Sequence, residues 1–412
     1  MATVKKDALF GIIDQGIISL SNLGIGFLLI KLTSKESYGL YGIGFAAILL
    51  FVGVANALVT TQMTVFAPEK PDKLKYCSTM LAGQYIIFFP LWTVFVVISM
   101  TAYYLALISN EILTYTLTVS ITVMTAIFHE FMRRFFYIAL TPFRVLQIDI
   151  VNVSIIMGCL SAAWYYQLNI SHTTAIIIYG ISAFTAGSVG LIISKLIQKI
   201  TLIEISASIK EAWHHGLWSL GGVIVTWLQS QSYVALLSIM ATSASIAEAN
   251  AAKLFLAPVS VISSSLAQVF IPRLAILRSS GEHNAIARLS FKILLLILSV
   301  IGIVVLITFL LKDYLLEHFF PKDYADIDPL ILWWAGVFVT QAFCTNGTIL
   351  LQIYKLFKVM TLCNFYTALL TLFLTWLLIK TNGISGSLQA MALGQLALAL
   401  LMWRAFHVYK KH

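Results

Sequence analysis

Residues 288–310 read RLSFKILLLILSVIGIVVLITFL, and from Ile293 onward the run contains no charged side chain. A helix of about 20 apolar residues is long enough to cross the hydrocarbon core of a bilayer. The run does not alternate between apolar and polar residues, as a strand of a membrane barrel would. The stretch therefore predicts a membrane-spanning helix.

Further apolar runs of this kind follow one another along the chain, separated by polar turns. Together they predict twelve spans, each placed to within a few residues: 8–32, 38–63, 78–103, 113–132, 145–167, 173–198, 216–240, 247–272, 288–310, 328–352, 359–380 and 384–405. The sequence therefore predicts an all-α polytopic membrane protein with 12 transmembrane helices.

The composition excludes a soluble enzyme. Of the 412 residues, 60% are hydrophobic and 10% are charged, whereas a soluble domain has about 45–50% apolar and about 25% charged residues. Of the predicted outer loops, only 311–327 is long enough for an extracellular active site, and its acidic residues are interpreted as those of a solvated loop. The chain has no GxxxxGK[ST] or HExxH motif and no CxxC pair. We therefore expect a transporter with no cofactor and no metal centre rather than an enzyme.

The basic residues predict the orientation in the membrane. When the N-terminus is placed inside, 20 of the 26 Lys and Arg residues lie on the inner side, five lie on the outer side, and Lys253 lies within a span. Cytoplasmic loops carry an excess of positive charge in membrane proteins. Both termini are therefore predicted to be cytoplasmic, and the net charge of +9 reflects this asymmetry rather than nucleic-acid binding.

The chain divides into two halves of six predicted spans each. The segment 199–215, KITLIEISASIKEAWHH, is the longest inner linker and mixes apolar with charged residues, as in an amphipathic helix lying on the inner membrane surface. We therefore predict an N-terminal six-helix lobe at 1–198 and a C-terminal six-helix lobe at 216–412, related as parallel repeats.

Charged side chains inside spans are candidates for function, because each costs about 2.5–3.5 kcal/mol at mid-helix. Asp14 lies in the first span, and Asn22 falls on the same helix face. This polar stripe predicts the lining of a cavity in which Asp14 binds a proton or a cation. The alternative is a structural hydrogen bond to a neighbouring helix.

Lys253 and Glu248 lie in the outer half of the eighth predicted span. An anionic head group in a membrane cavity needs a cation such as Lys253. Snorkelling of the lysine to the outer surface and a local pair with Glu248 are the alternatives.

The hairpin between the fourth and fifth spans carries a second charged group, formed by Glu130, Arg133, Arg134 and Asp149. Glu130 and Arg134 are i, i+4 partners on a helix, and Asp149 is placed to meet one of the arginines across the hairpin. Three hypotheses are open for this group. It forms a charged gate on the inner side, a guanidinium group makes the initial contact with phosphate, or the arginines only anchor the hairpin on the cytoplasmic side.

Gln229 and Gln231 in the seventh span add uncharged hydrogen-bonding groups of the kind that bind sugars. Most residues of this type make ordinary interhelical hydrogen bonds instead.

Several of these motifs resemble a known family. They are the opening Asp14-Gln15 with Ser21-Asn22, the turn KESYGLY at 35–41, and the run from Glu130 to Tyr137 that is followed by Asp149. They are similar to the polysaccharide transporter (PST) family of the MOP superfamily, to which the MATE multidrug exporters and the peptidoglycan-precursor flippase also belong.

This resemblance implies two six-helix lobes that form a V around a central cavity. It implies a flippase that moves undecaprenyl-pyrophosphate-linked oligosaccharide from the inner to the outer leaflet of the bacterial cytoplasmic (inner) membrane by alternating access, for O-antigen, capsule or exopolysaccharide synthesis. The cavity cations would correspond to Lys253 and Lys31, with Arg133 and Arg134 nearer the cytoplasmic mouth. The implied partners are membrane lipids, a polysaccharide polymerase and a chain-length regulator, and transport would be coupled to an H⁺ or Na⁺ gradient.

Three other functions stay open at this point. A MATE-like multidrug exporter driven by Na⁺ or H⁺ would use Asp14 and a negative cavity, which Lys253 argues against. A transporter of the general facilitator type would show G-x-x-x-D-R-x-G-R after the second span, where this chain reads PEKPDKLK at 68–75. A membrane-embedded glycosyl polymerase or ligase is opposed by the short outer loops.

Overall fold

The computed structural model describes residues 2–260, 282–320, 327–354 and 356–409, together with isolated positions between 262 and 280 and Tyr324. The regular elements in these ranges are helices. They are α1 Ala2–Leu32, α2 Lys35–Ala55, α3 Thr61–Phe66, α4 Lys73–Tyr104, α5 Asn110–Ile138, α6 Pro142–Tyr165, α7 His172–Ser194, α8 Leu202–Met240, α9 Ser243–Phe255, α10 His283–Phe319, α11 Asp328–Ile353 and α12 Phe357–Tyr409.

Within the described ranges, nine helical segments are long and apolar enough to cross a membrane. One of them, Lys35–Glu69, joins α2 and α3 through a π-helical turn at Asn56–Thr60. Another, Lys358–Val408, covers the last two predicted spans and is interrupted by Gly383, whose φ is 56°. The prediction of an all-α, multi-pass membrane protein is confirmed. The count of twelve spans, the V-shaped arrangement and the cytoplasmic termini stay predictions.

The predicted span 247–272 lies partly outside the described residues. Its described part includes α9, which ends at Phe255, and a short helical stretch at 257–260. Between the two, the N–H of Leu256 turns back to the carbonyl oxygen of Lys253 at 3.1 Å. Pro258 lies in the first turn of the second stretch, where a residue without an N–H is tolerated.

Polar caps and short turns determine where helices begin and end. Four N-cap side chains accept the backbone N–H three residues further on: Asp72, Ser109, Ser171 and Thr242. The chain reverses after α5 at Leu140, where φ is 53°, and Pro142 begins α6 with a φ already suited to a first helical turn. The start of α6 therefore lies beside the end of α5.

The chain folds into two compact units. The first unit comprises Met1–Thr33 and Ile43–Ile224, and the second comprises Ser34–Gly42 and Val225–His412. The predicted division of the chain into two six-helix lobes and a linker at 199–215 stays a prediction. In the structure, residues 202–215 are the first turns of α8, and the change of unit falls within that helix at Ile224.

In the first unit, glycines bring α7 close to α5. A Cβ at Gly180 would lie 2.8 Å from Thr122, and one at Gly187 would lie 2.6 Å from the ring of Phe128. Close backbone approach of this kind drives helix association where lipid removes the hydrophobic effect between helices. The contact holds α5, which carries most of the charged side chains described below.

The first turns of α8 also pack in the first unit, against α4 and the loop before it. The Ser208 and Thr79 hydroxyls are 2.9 Å apart, and Lys70 Nζ lies 2.7 Å from Glu211 Oε1. The opposite face of this helical segment is open, since Ile203 is 82% exposed.

In the second unit, the start of α2 packs tightly on α9. A Cβ at Gly39 would lie 1.7 Å from the carbonyl oxygen of Ser243, and one at Gly42 would lie 2.6 Å from Asn250 Nδ2. Only glycine allows the backbone of α2 to approach α9 so closely. A segment from the first half of the sequence is therefore part of the second unit.

Candidate functional site

The first unit contains a cluster of charged side chains centred on Arg133. Its Nε donates to Asp149 Oδ2 at 2.8 Å, its Nη1 donates to Glu130 Oε2 at 3.0 Å, and its Nη2 donates to Asp14 Oδ2 at 3.5 Å. Arg134 Nε donates to the second oxygen of Glu130 at 2.8 Å. We call these five residues the Arg133 cluster.

Local sequence explains most of this cluster. Glu130, Arg133 and Arg134 lie within the last turns of α5 at i, i+3 and i+4 spacing, so their side chains share one helix face. The tight turn between α5 and α6 then returns Asp149 to the same place. The structure has both contacts that the sequence predicts, the Glu130–Arg134 pair and the contact of Asp149 with an arginine.

Asp14 joins the Arg133 cluster from α1. Its side chain is fully buried, and the hydroxyl of Tyr137 donates to its Oδ2 at 3.2 Å. The other oxygen, Asp14 Oδ1, has no hydrogen-bond partner among the described residues. The carboxyl group therefore has an unsatisfied acceptor oxygen, to which a proton or a cation can bind.

The second unit holds a different arrangement, a single cation among aromatic rings. Lys253 Nζ lies 4.9 Å from the ring centroid of Trp334 and 5.8 Å from that of Tyr233. Among the residues that the structure describes, no carboxylate pairs with Lys253, because Glu248 pairs with Lys35 at 2.5 Å instead. The local Lys253–Glu248 pair considered from the sequence is therefore not formed.

The two aromatic residues also fix the helix that carries Lys253. Trp334 Nε1 donates to the carbonyl oxygen of Ala249 at 2.8 Å, and the Tyr233 hydroxyl donates to Asn250 Oδ1 at 2.6 Å. Both rings are almost fully buried and pack edge to face, with centroids 5.4 Å apart. They position the lysine and leave its ammonium in cation–π contact.

The other predicted site residues lie apart from these two arrangements. Lys31 Nζ lies 5.3 Å from the ring centroid of Trp164 in the first unit, and Asn22 on α1 is exposed. Gln229 donates to the carbonyl oxygen of Asn364 at 3.0 Å and to Thr367 at 2.8 Å, so its amide joins α8 to α12. Gln231 is half-buried.

Sequence reasoning missed four residues at these sites. His129 Nε2 lies 3.1 Å from Asp149 Oδ1, and Tyr137 contacts Asp14; their spacing on α5 from Arg133 was the available signal. Tyr233 and Trp334 left no comparable signal, because each comes from a different helix and an aromatic residue in an apolar span is usually part of the core.

Comparison with known proteins identifies the fold. No protein-family model matches the sequence, and no curated protein matches it. Among solved structures, the lipid II flippase MurJ in an inward closed conformation is 17% identical, with a TM-score of 0.75 over 97% of this chain and 87% of that one. This chain has the fold of a MOP-superfamily transporter.

Two further structures belong to the same superfamily. An inward-facing multidrug resistance MATE transporter is 10% identical, with a TM-score of 0.67 over 95% of this chain and 94% of that one. A MOP-superfamily transporter from Pyrococcus furiosus is 11% identical, with a TM-score of 0.64 over 99% of this chain and 95% of that one. The expected MOP fold is thus confirmed, while membership of the PST family stays a prediction.

Proposed function

We propose that this protein flips an undecaprenyl-pyrophosphate-linked oligosaccharide from the inner to the outer leaflet of the bacterial cytoplasmic membrane by alternating access. The product would supply a surface polysaccharide such as O-antigen, capsule or exopolysaccharide. One observation carries the proposal: Lys253 has no carboxylate partner among the described residues. An unpaired charge in a membrane protein is expensive and marks a functional site, and the phosphate of a lipid carrier would compensate it.

The fold supports a lipid-linked substrate, since the MurJ structure is that of a lipid II flippase. A polymerase and a chain-length regulator that would use the flipped product are proposed as partners. Like the substrate, they are implied by the resemblance to the polysaccharide transporter family.

The residues divide into roles according to what they contact. Phosphate recognition is assigned to Lys253, with Lys31 as a second cation. Arg133 is already surrounded by carboxylates, whereas the half-exposed Arg134 has one ion pair and can still contact phosphate. Gln231 and Asn22 are the proposed hydrogen-bonding groups for sugars, because the amide of Gln229 is engaged by α12.

The decisive experiment is deletion of the gene in its host, followed by extraction of lipid-linked oligosaccharides. We expect complete repeat units to accumulate on undecaprenyl pyrophosphate in the inner leaflet and surface polysaccharide to be lost. Normal polysaccharide in the deletion strain would contradict the proposal.

The role of Lys253 is tested by complementing that strain. Lys253→Ala should abolish export at normal protein levels, and Lys253→Arg should keep part of it because the positive charge remains. Lys380→Ala is the matched control: Lys380 Nζ also lies on an aromatic ring, 3.7 Å from the centroid of Trp376, but the residue is exposed. Normal export by Lys253→Ala would remove Lys253 from the site.

A MATE-like, cation-coupled multidrug exporter is the second candidate, and the Arg133 cluster favours it. Three acidic side chains, Asp14, Glu130 and Asp149, meet there inside the membrane protein. This function predicts that the deletion strain keeps its polysaccharide and becomes sensitive to cationic dyes.

A further inference from the structure

Each nitrogen of the Arg133 guanidinium faces a different carboxylate. Nε contacts Asp149 at 2.8 Å, Nη1 contacts Glu130 at 3.0 Å, and Nη2 contacts Asp14 at 3.5 Å. The side chains of Asp14 and Asp149 are only 1% and 2% exposed. Three carboxylates from three helices therefore converge on one guanidinium.

A guanidinium in the middle of such a set changes which cation can bind. Arginine stays charged at every pH that the protein experiences, so it cannot leave its place by losing a proton. We infer that Arg133 is a tethered counter-cation that excludes Na⁺ from the carboxylate set and leaves the proton as the cation that this site exchanges. The inference rests on the proposed transport function and specifies its coupling ion.

The charges of the surrounding groups give the number of protons. Three carboxylates face the two guanidinium groups of Arg133 and Arg134, which leaves one negative charge when all are ionised. The other titratable groups that face the cluster are His129 and Tyr137 on α5 and Tyr179 on α7. One proton balances the charge of the three carboxylates and two guanidinium groups.

Asp14 is the group that can accept this proton. Its Oδ1 is buried without a hydrogen-bond partner among the described residues. A proton there leaves Oδ2 free to keep its contacts with Tyr137 and Arg133. In Asp149, by contrast, Oδ2 accepts from Arg133 at 2.8 Å, and Oδ1 lies 3.1 Å from His129 Nε2.

The test is thermal unfolding of the purified full-length protein at equal concentrations of NaCl, LiCl and KCl. The wild type should unfold at the same temperature in all three salts. Arg133→Gln should unfold at a higher temperature in NaCl than in KCl, by about 2 °C or more at saturating salt, because a cation that binds only the folded state stabilises it. Arg134→Gln is the matched control, since Arg134 contacts Glu130 alone; its unfolding temperature should not depend on the salt.

Two results would overturn the inference: stabilisation of the wild type by Na⁺ or Li⁺ over K⁺, and a folded Arg133→Gln variant that no alkali cation stabilises. If Arg133→Gln cannot be purified folded, the wild-type comparison still decides whether Na⁺ binds. Measurement of proton uptake then tests the role of Asp14. The wild type should take up one more proton per chain than Asp14→Asn does. Equal uptake by the two proteins would contradict the role of Asp14. These measurements need no substrate, so their failure is separate from a failure of the flippase proposal.

Discussion

The first unit brings five charged side chains together in the Arg133 cluster, whereas in the second unit Lys253 is a single cation beside Trp334 and Tyr233. Ion pairs and hydrogen bonds offset the desolvation of the first group. The aromatic rings offset only part of the cost for the second. Under the proposals made above, the Arg133 cluster would exchange a proton and Lys253 would bind the phosphate of the substrate.

The largest expected difference in stability is between Arg133→Met and Lys253→Met. Arg133→Met leaves the buried carboxylates of Asp14 and Asp149 without a guanidinium and should lower the free energy of unfolding by about 3–5 kcal/mol. Lys253→Met loses a cation–π contact worth about 0.5–2 kcal/mol but also removes an unpaired charge, so its net effect should be close to zero. Denaturant unfolding in detergent measures both. A Lys253→Met variant as unstable as Arg133→Met would mean that the lysine has a structural role.

The next effect concerns the packing that holds Lys253. Gly39→Ala would push a methyl group into the carbonyl oxygen of Ser243 on α9, and overpacking of this kind costs about 1–3 kcal/mol. Because α9 carries Lys253, transport should fall as well. Gly158→Ala on α6 is the control: its Cβ would meet nothing within 4 Å, so the helix should be unchanged or up to about 1 kcal/mol more stable. Equal melting temperatures for the two variants would show that α2 and α9 can separate at no cost.

Asp14→Asn should affect ion dependence more than stability. The remaining charges of the cluster are then balanced, and the amide oxygen can still accept from Tyr137. We expect the free energy of unfolding to change by less than about 1 kcal/mol and transport to lose its response to the proton gradient. If transport by the variant keeps the wild-type ion response, Asp14 is a structural residue only.

The smallest effect is expected at the exposed start of α8. The hydrogen bond from the Lys75 side chain, followed by one from the Thr201 backbone, lowers the pKa of the Glu204 carboxyl. A lowered pKa stabilises the fold above the ordinary range of glutamate, and this contribution disappears as the pH falls through the lowered value. Glu204→Gln should therefore lower the melting temperature by no more than about 1 °C at neutral pH and low salt and leave it unchanged in acid. A larger shift would mean that this exposed pair matters as much as the buried cluster.

The two regions were also unequally accessible to sequence reasoning. The contacts among Glu130, Arg133, Arg134 and Asp149 follow from helix spacing and one short hairpin, so the sequence predicts them. Lys253 is the only basic residue that the predicted topology does not assign to a membrane surface. Its partners could not be found, because Trp334 lies 81 positions further along the chain and meets it only through packing of α9.

The sequence by itself determined that this protein is an all-helical, multi-pass membrane protein. Long apolar runs leave the backbone no water to bond with, so each run must satisfy its hydrogen bonds within its own helix. Only the tertiary structure decided that Asp14 reaches Arg133, that Glu248 pairs with Lys35 rather than Lys253, and that residues 34–42 belong to the second unit. These contacts depend on which faces of distant helices meet, and side-chain packing rather than periodicity determines those faces.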